Sequence, residues 1–403
     1  VYVVWEITMR CDHACAHCGS RAGEPRPDEL SDAELMDVCD QIGAAGAREV
    51  TLIGGEAYLH PALDAIVRRL RGHGLRVTLQ TGGLGLTEKT CARLKAAGVH
   101  AVGVSVDGDE AAHDTLRDRP GSHAGALRAL ERARAAGLVT TANTQVNTLS
   151  AGVLPQTAAL LRARGARVWR CQLTVPMGRA ADRPGWILPP WRVPEVLHTL
   201  AGLQVDAARE ARAQGLDPAQ IFNVTIGNNL GYYGPHEGLL RSAPGQPLRH
   251  WQGCFAGQGT LGIESDGTLK ACPSLPTAPY QAGTLREWTL AQAWAEAPAL
   301  RFTRDRQLDE LWGFCATCAY REPCRAGCSF TAHCTLGRRG NNPFCDHRVR
   351  SLRARGLRER LVPAQAAPGA PYDFGRFELV EEPWPPGEDP AWATDDPYSA
   401  PAP

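Results

Sequence analysis

Cys11, Cys15 and Cys18 form a CxxxCxxC arrangement, three soft donors within eight residues. A loop this short directs three thiolates at one metal centre and leaves the fourth iron of a cubane cluster without a protein ligand. Thiolates select iron-sulfur clusters or zinc, and a structural zinc site would take its fourth ligand from His13 or His17. Spacing alone leaves three readings open: an iron-sulfur cluster, a zinc site or unliganded thiols. Gly54-Gly55-Glu56 is a second candidate. Two glycines let backbone approach a ligand closely and a carboxylate accepts from an ammonium group, although a tight turn uses the same residues. Ser105-Val106-Asp107-Gly108 reads as a ligand contact or as a local Asx-type turn. Arg117, Arg119 and Ser122 lie where a carboxylate can be paired, against the plain alternative of solvated arginines. Asp12, His13 and His17 read as polar loop residues.

The C-terminal part holds another set. Cys315-x2-Cys318-x5-Cys324-x3-Cys328 is followed by Cys345, and Cys254 and Cys272 precede it, with Cys334 in between. Eight of the 14 cysteines fall between Cys254 and Cys345, in a stretch with little periodicity, which is the pattern of loops held by metal. The even count admits disulfides. The short CxxC spacings, a chain large enough to fold without staples and the lack of a visible signal peptide argue against them. Cys39 and Cys91 sit in helical patterns as core thiols. Cys171, near the end of a strand, reads as core packing or as a residue facing substrate.

These groups need a scaffold, and the first 175 residues supply one by alternating strand-like and helix-like segments. Extended runs at Val1 to Ile7, Glu49 to Ile53, Leu75 to Leu79, Ala101 to Val106, Val139 to Asn147 and Arg167 to Leu173 are separated by helical runs, most ended by glycine. Ser31 and Glu34 stand in capping-box positions. This predicts an α/β fold, a partial (β/α)6 barrel, since six units are too few to close eight strands. The loops at the C-terminal ends of such strands form the binding face, where the cysteine trio, the glycine pair and Ser105 should converge.

From Ala180 to His250 the alternation lapses into a proline-rich connection, a helix over Val196 to Ala213 and a short strand near Phe222 to Ile226. The run Gly227 to Gly234 reads as a lid or as a plain connection. Residues 363–403 hold ten prolines, eight acidic residues and one arginine, a composition of disorder, with Phe374, Phe377, Trp384 and Trp392 as its anchors should it wrap over the body. The implied division is 1–180 for the barrel core, 181–250 for the connection, 251–347 for the cysteine-rich domain and 348–403 for a basic helix and acidic tail. Lysine plus arginine and aspartate plus glutamate each number 43, so no charge argument favours a nucleic-acid partner. No apolar run approaches a membrane span. Val1 is not an initiator methionine, which suggests residues upstream.

The CxxxCxxC loop after a first strand, together with Gly54-Gly55-Glu56 and Ser105, resembles the radical S-adenosylmethionine (SAM) enzymes. The resemblance implies that Cys11, Cys15 and Cys18 hold a [4Fe-4S] cluster whose open iron binds SAM. It further implies that Gly54, Gly55 and Glu56 receive the methionyl ammonium, and that Ser105, Asp107, Asn143 and Arg117 contact the rest of the cofactor. Reductive cleavage of SAM would then yield a 5'-deoxyadenosyl radical that takes a hydrogen atom from substrate. The later cysteines resemble the SPASM extension of such enzymes. That implies two auxiliary [4Fe-4S] clusters, hence three in all: Cys315, Cys318, Cys324 and Cys345 on a distal one, and Cys254, Cys272 and Cys328 on one nearer the active site. The family's eighth cysteine is missing between Phe255 and Leu269. The near cluster would have an open iron or an unusual ligand, with Cys334 a candidate.

Anaerobic sulfatase maturases carry an aspartate directly after the position of Cys272. Here Pro273 and Ser274 follow, which disfavours formylglycine formation. Gly178-Arg179-Ala180 resembles a segment of peptide-modifying members and makes Arg179 a substrate or cluster-region contact, beside Cys171 as a catalytic candidate. The leading expectation is an oxidative or crosslinking maturase of a ribosomally made peptide. It would be served by a flavodoxin or ferredoxin; no recognition domain is visible before the first strand, so a separate recognition protein or residues upstream of Val1 would supply that function. A small-molecule dehydrogenase or epimerase is the second expectation, and a noncatalytic iron-sulfur or zinc assembly module the third. Labile clusters imply a reducing cytoplasm, and the balanced charge and lack of a long apolar run imply neither a nucleic-acid nor a membrane partner.

Overall fold

Hydrophobic residues on every second position of the extended segments dictate which face of the sheet is dry. Val3, Trp5, Val50, Leu52, Val77, Leu79, Val102 and Val104 are buried in one cluster with the apolar stripes of the helices that follow their strands. The computed structural model describes residues 1–388 and 390–393. Its parallel strands are β1 (Tyr2–Glu6), β2 (Glu49–Ile53), β3 (Arg76–Thr81), β4 (Ala101–Ser105), β5 (Val139–Val146) and β6 (Val168–Leu173). The intervening helices are α1 (Asp32–Ala44), α2 (Leu63–Gly72), α3 (Glu88–Ala97), α4 (Glu110–Arg117), α5 (Ser122–Ala135) and α6 (Leu154–Ala163). The expected α/β partial barrel is therefore present. Ser31 closes a reciprocal capping box with Glu34 at the start of α1.

The sheet runs further than the six expected units. Helix α7 (Val193–Ala213) leads to β7 (Asn223–Ile226), which pairs parallel to β6. On the other side β8 (Thr260–Ile263) pairs parallel to β1, and β9 (Thr268–Lys270) and β10 (Gln281–Thr284) continue antiparallel. The cysteine-rich region thus shares one ten-stranded mixed sheet with the barrel.

Composition misleads for the tail. Leu357–Gln365 and Arg376–Pro383 form an antiparallel hairpin, β11 and β12, because both runs pair over their whole length. The loop between them reaches back to the barrel, where Tyr372 is buried and donates its hydroxyl to Glu6 of β1. Of the expected anchors, Phe377 and Trp392 are buried, Phe374 stacks edge-on against His333, and Trp384 meets Trp392.

Candidate functional site

The cysteine loop is fixed from three sides. The β2 loop donates Gly55 N to Thr8 O at 2.9 Å and Glu56 N to Arg10 O at 2.8 Å. Leu116 at the end of α4 accepts from Ala16 N, and Arg179 N donates to Cys18 O, both at 2.9 Å. Glycine is required for this stitching. A Cβ on Gly55 would sit 2.4 Å from Arg10 O, and one on Gly54 2.3 Å from Thr8 O. The pair brings β2 against the cysteine loop, and burial followed by the charges of Glu56, Cys15 and Cys18 pushes the Cys11 thiol up to about 12.

Glu56 is buried beneath this loop and accepts from Thr81 Oγ1 and Gly82 N, each at 2.5 Å. Burial pushes its pKa up to about 8. Asp12, His13 and Glu56 bring ligand atoms within 4.8 Å of one another. Both His13 ring nitrogens and Asp12 Oδ1 are buried without a partner. Such orphaned groups cost about 1–3 kcal/mol each unless something polar meets them. Three convergent thiols beside unsatisfied polar atoms and an acid fit an iron-sulfur cluster with a polar, amine-bearing cofactor on it. Tyr58, which donates to Asp12, and Thr81 were not singled out from sequence. Tyr58 lies only two residues past Glu56, but nothing local signals that its hydroxyl turns to the cysteine loop.

Several expected contacts are occupied by protein. Asp107 has no exposed surface; its Oδ2 takes Arg117 Nε at 3.0 Å and Nη2 at 2.5 Å, and its Oδ1 accepts from Gln145 N at 2.8 Å. His17 Nε2 lies 3.5 Å from the same carboxylate, and its Nδ1 meets Leu116 O at 2.8 Å. Although burial opposes ionisation, Arg117 and His17 hold Asp107 well below the usual carboxylate range. Asp107 and Arg117, expected as cofactor contacts, thus form a buried pair under the cysteine loop, with Arg117 Nη1 3.6 Å from Cys15 Sγ. Arg179, expected as a substrate or cluster-region contact, lies against the cysteine loop: Nε donates to Cys15 O at 2.7 Å and Nη2 to Ala22 O at 3.0 Å, so it braces the loop.

Cys171, read as core packing or as a residue facing substrate, lies in the core. In the register Asn143 faces Arg170 and Thr144 faces Cys171, which puts Cys171 with Trp169 and Leu173 on the helix-covered side, fully buried. The opposite face of the sheet, the barrel lumen, carries Ser105, Asn143 and Arg170 on one row. Asn143 Nδ2 donates to Gln80 Oε1 at 2.6 Å there.

The later cysteines separate into two places. Cys315, Cys318, Cys324 and Cys345 line one small pocket with Tyr232, Tyr320 and Asn342. The run at 227–234 is its support and not a lid: Gly231 N donates to Phe344 O, and the buried Tyr232 hydroxyl bonds to Asn228 O and Cys328 N. Elsewhere, burial and then the charge of Cys254 raise Cys328 to about 12 and Cys272 to about 11, and Cys272 adds to the effect at Cys328. Cys334 is fully buried near Cys328 and Lys270. All 14 cysteines are free. A cavity walled by four thiols and aromatic rings fits a cluster better than it fits a packed core.

Residues 5–150 match the radical SAM superfamily and residues 254–319 match a family described as an iron-sulfur cluster-binding domain. The chain is 29% identical to an AdoMet-dependent heme synthase of Methanosarcina barkeri, over 86% of this chain and 96% of that one. It is 31% identical to the mycofactocin maturase MftC of Mycobacterium ulcerans, over 86% and 87%. In fold it is similar to SuiB of Streptococcus suis solved with its precursor peptide SuiA, with a TM-score of 0.59 at 14% identity, covering 82% of this chain and 72% of that one. Among the described residues no helix is long and apolar enough to cross a membrane.

Proposed function

This chain belongs to the radical SAM superfamily and carries a SPASM-like iron-sulfur domain, and on that premise we propose that it is an oxidative maturase of a ribosomally made peptide. The observation that carries this reading is that Ser105 and Asn143 stand in register on the lumen face of the same ten-stranded sheet to which β8 and β9 attach the cysteine-rich region. The 31% identity to a mycofactocin maturase supports a peptide substrate. Cys11, Cys15 and Cys18 would hold the SAM cluster, Cys315, Cys318, Cys324 and Cys345 the distal auxiliary cluster, and Cys254, Cys272 and Cys328 the near one. Bound SAM on its reduced cluster supplies the 5'-deoxyadenosyl radical.

The chain's own residues position that chemistry. Arg179 and the Asp107–Arg117 pair hold the cysteine loop, Glu56 takes the cofactor ammonium beside His13, and Ser105 and Asn143 face the nucleoside. A flavodoxin or ferredoxin would deliver the electron, in a reducing cytoplasm. The experiment is anaerobic incubation with SAM, reductant and a short peptide encoded beside the gene. Formation of 5'-deoxyadenosine with loss of a hydrogen pair from the peptide, or a crosslink, is expected; an unchanged peptide beside continuing SAM cleavage would overturn the peptide reading. The 29% identity to a heme synthase favours a second reading, a small-molecule substrate such as a tetrapyrrole, tested in the same assay.

A further inference from the structure

The interior of a closed barrel of this kind is filled by bulky branched side chains. This lumen is lined with polar ones. Tyr2, Thr51 and Thr78 join hydroxyl to hydroxyl at 2.7 and 2.6 Å across β1, β2 and β3, and Asn143 spans to Gln80 across Gly103. The side chains at this level satisfy one another, so the face is polar without needing a ligand of its own.

Arg170 is the exception among them. It is exposed on the lumen face of β6, in the row of Ser105 and Asn143, and makes no hydrogen bond or ion pair among the described residues. Carboxylates on the same face are already committed. Glu6 is held by Arg26, Ser265 N and Tyr372, and Glu49, at the N-terminal end of its strand, pairs with Arg76 at 3.3 Å. The charges of Arg170 and of the Cys272 thiol are both felt at the Tyr2 phenol. A guanidinium fork matches a carboxylate bidentately, and with the neutral Asn143 and Thr225 as its register neighbours its one positive charge balances one negative charge.

We propose that Arg170 receives a carboxylate of the substrate and thereby makes the lumen selective for an anionic one. This rests on the lumen being the reaction chamber of the proposed enzyme. SAM also has a carboxylate, so the test must separate the two sources.

The test is arginine modification of the cluster-loaded protein by 4-hydroxyphenylglyoxal, read by mass spectrometry of the fragment containing Arg170. Arg68, exposed on α2, serves as the surface control, and the buried Arg117 as the shielded one. Glutarate is the probe and glutaramide its uncharged counterpart. The expected result is a reactive Arg170 whose modification slows about tenfold at glutarate ten times its Kd, as one-site occupancy dictates, with Arg68 unaffected. Glutaramide should not protect, and saturating SAM should leave the rate unchanged. An unreactive Arg170, equal protection by glutaramide, or equal protection of Arg68 would overturn the proposal. Protection by SAM alone would assign the guanidinium to the cofactor and overturn it too. The readout needs neither turnover nor a peptide, so failure of the peptide assay and failure here remain distinct.

Discussion

Asp107 is ionised in a place with no solvent because Arg117 and His17 surround it, and the pair lies directly beneath Cys15. Removing one member of a buried ion pair strands the other, at about 3–5 kcal/mol. Asp107→Asn should therefore lower the unfolding free energy, read from denaturant titration, by that amount, whereas Arg119→Ala on the exposed loop should stay within about 0.5 kcal/mol. A carboxylate whose folded pKa is depressed contributes fully above its unfolded pKa and loses that contribution only as pH falls through the folded one, so the gap should hold constant between about pH 5 and 8. Cys15→Ala should abolish 5'-deoxyadenosine formation; retained cleavage would show the reactive cluster to be elsewhere. At this scale the cysteines were legible because short fixed spacing is itself the signal. The partnership of Asp107 with Arg117 was not, since both residue types suit a ligand equally well and only the orientation of α4 turns them on each other.

A single element can carry the site's precision without touching a reactant. The turn after β6 begins at Gly178, with φ +58°, and a Cβ there would lie 2.2 Å from Cys18 O and 2.4 Å from Gly19 O. Gly178→Ala must push the turn off the cysteine loop, withdrawing the Arg179 bonds to Cys15 O and Ala22 O. Left-handed strain at a non-glycine residue adds roughly 1–3 kcal/mol. The expected outcome is a protein that folds but retains less iron in the first cluster. Iron analysis and visible absorption should show the loss, with Gly152→Ala, whose Cβ meets nothing within 4 Å, unchanged. The strand and helix alternation was readable from local periodicity. The face each strand residue takes follows from the same period of two: counted from Trp169, Cys171 falls on the helix side and Arg170 in the lumen. Helix α4, eight residues between two turns, is too short to give a periodic pattern of its own.

Across the molecule, long-range pairing joins what composition separates. Strand β8 attaches the cysteine-rich region to β1, and the loop between β11 and β12 straps both: Asp373 takes Arg21 Nε at 2.8 Å, Gly178 N donates to Asp373 O, and Lys270 Nζ lies 3.8 Å from the Tyr372 ring centre. No local pattern announces pairings hundreds of residues apart, so a proline-rich acidic stretch reads as disorder although its hydroxyl and ring are anchored in the barrel. The strap holds Tyr372 at φ +54°, a conformation that persists only because its surroundings over-determine it. Tyr372→Phe keeps the ring over Lys270 and removes only the donor to the buried Glu6, which should cost about 1–3 kcal/mol. Global unfolding should register that loss. If the strap is what unites the two regions, amide exchange in the loop between β11 and β12 and around Lys270 should rise together while β3 and β4 stay protected. Exchange rising in the loop alone would mean that β8 suffices to hold the cysteine-rich region on the barrel.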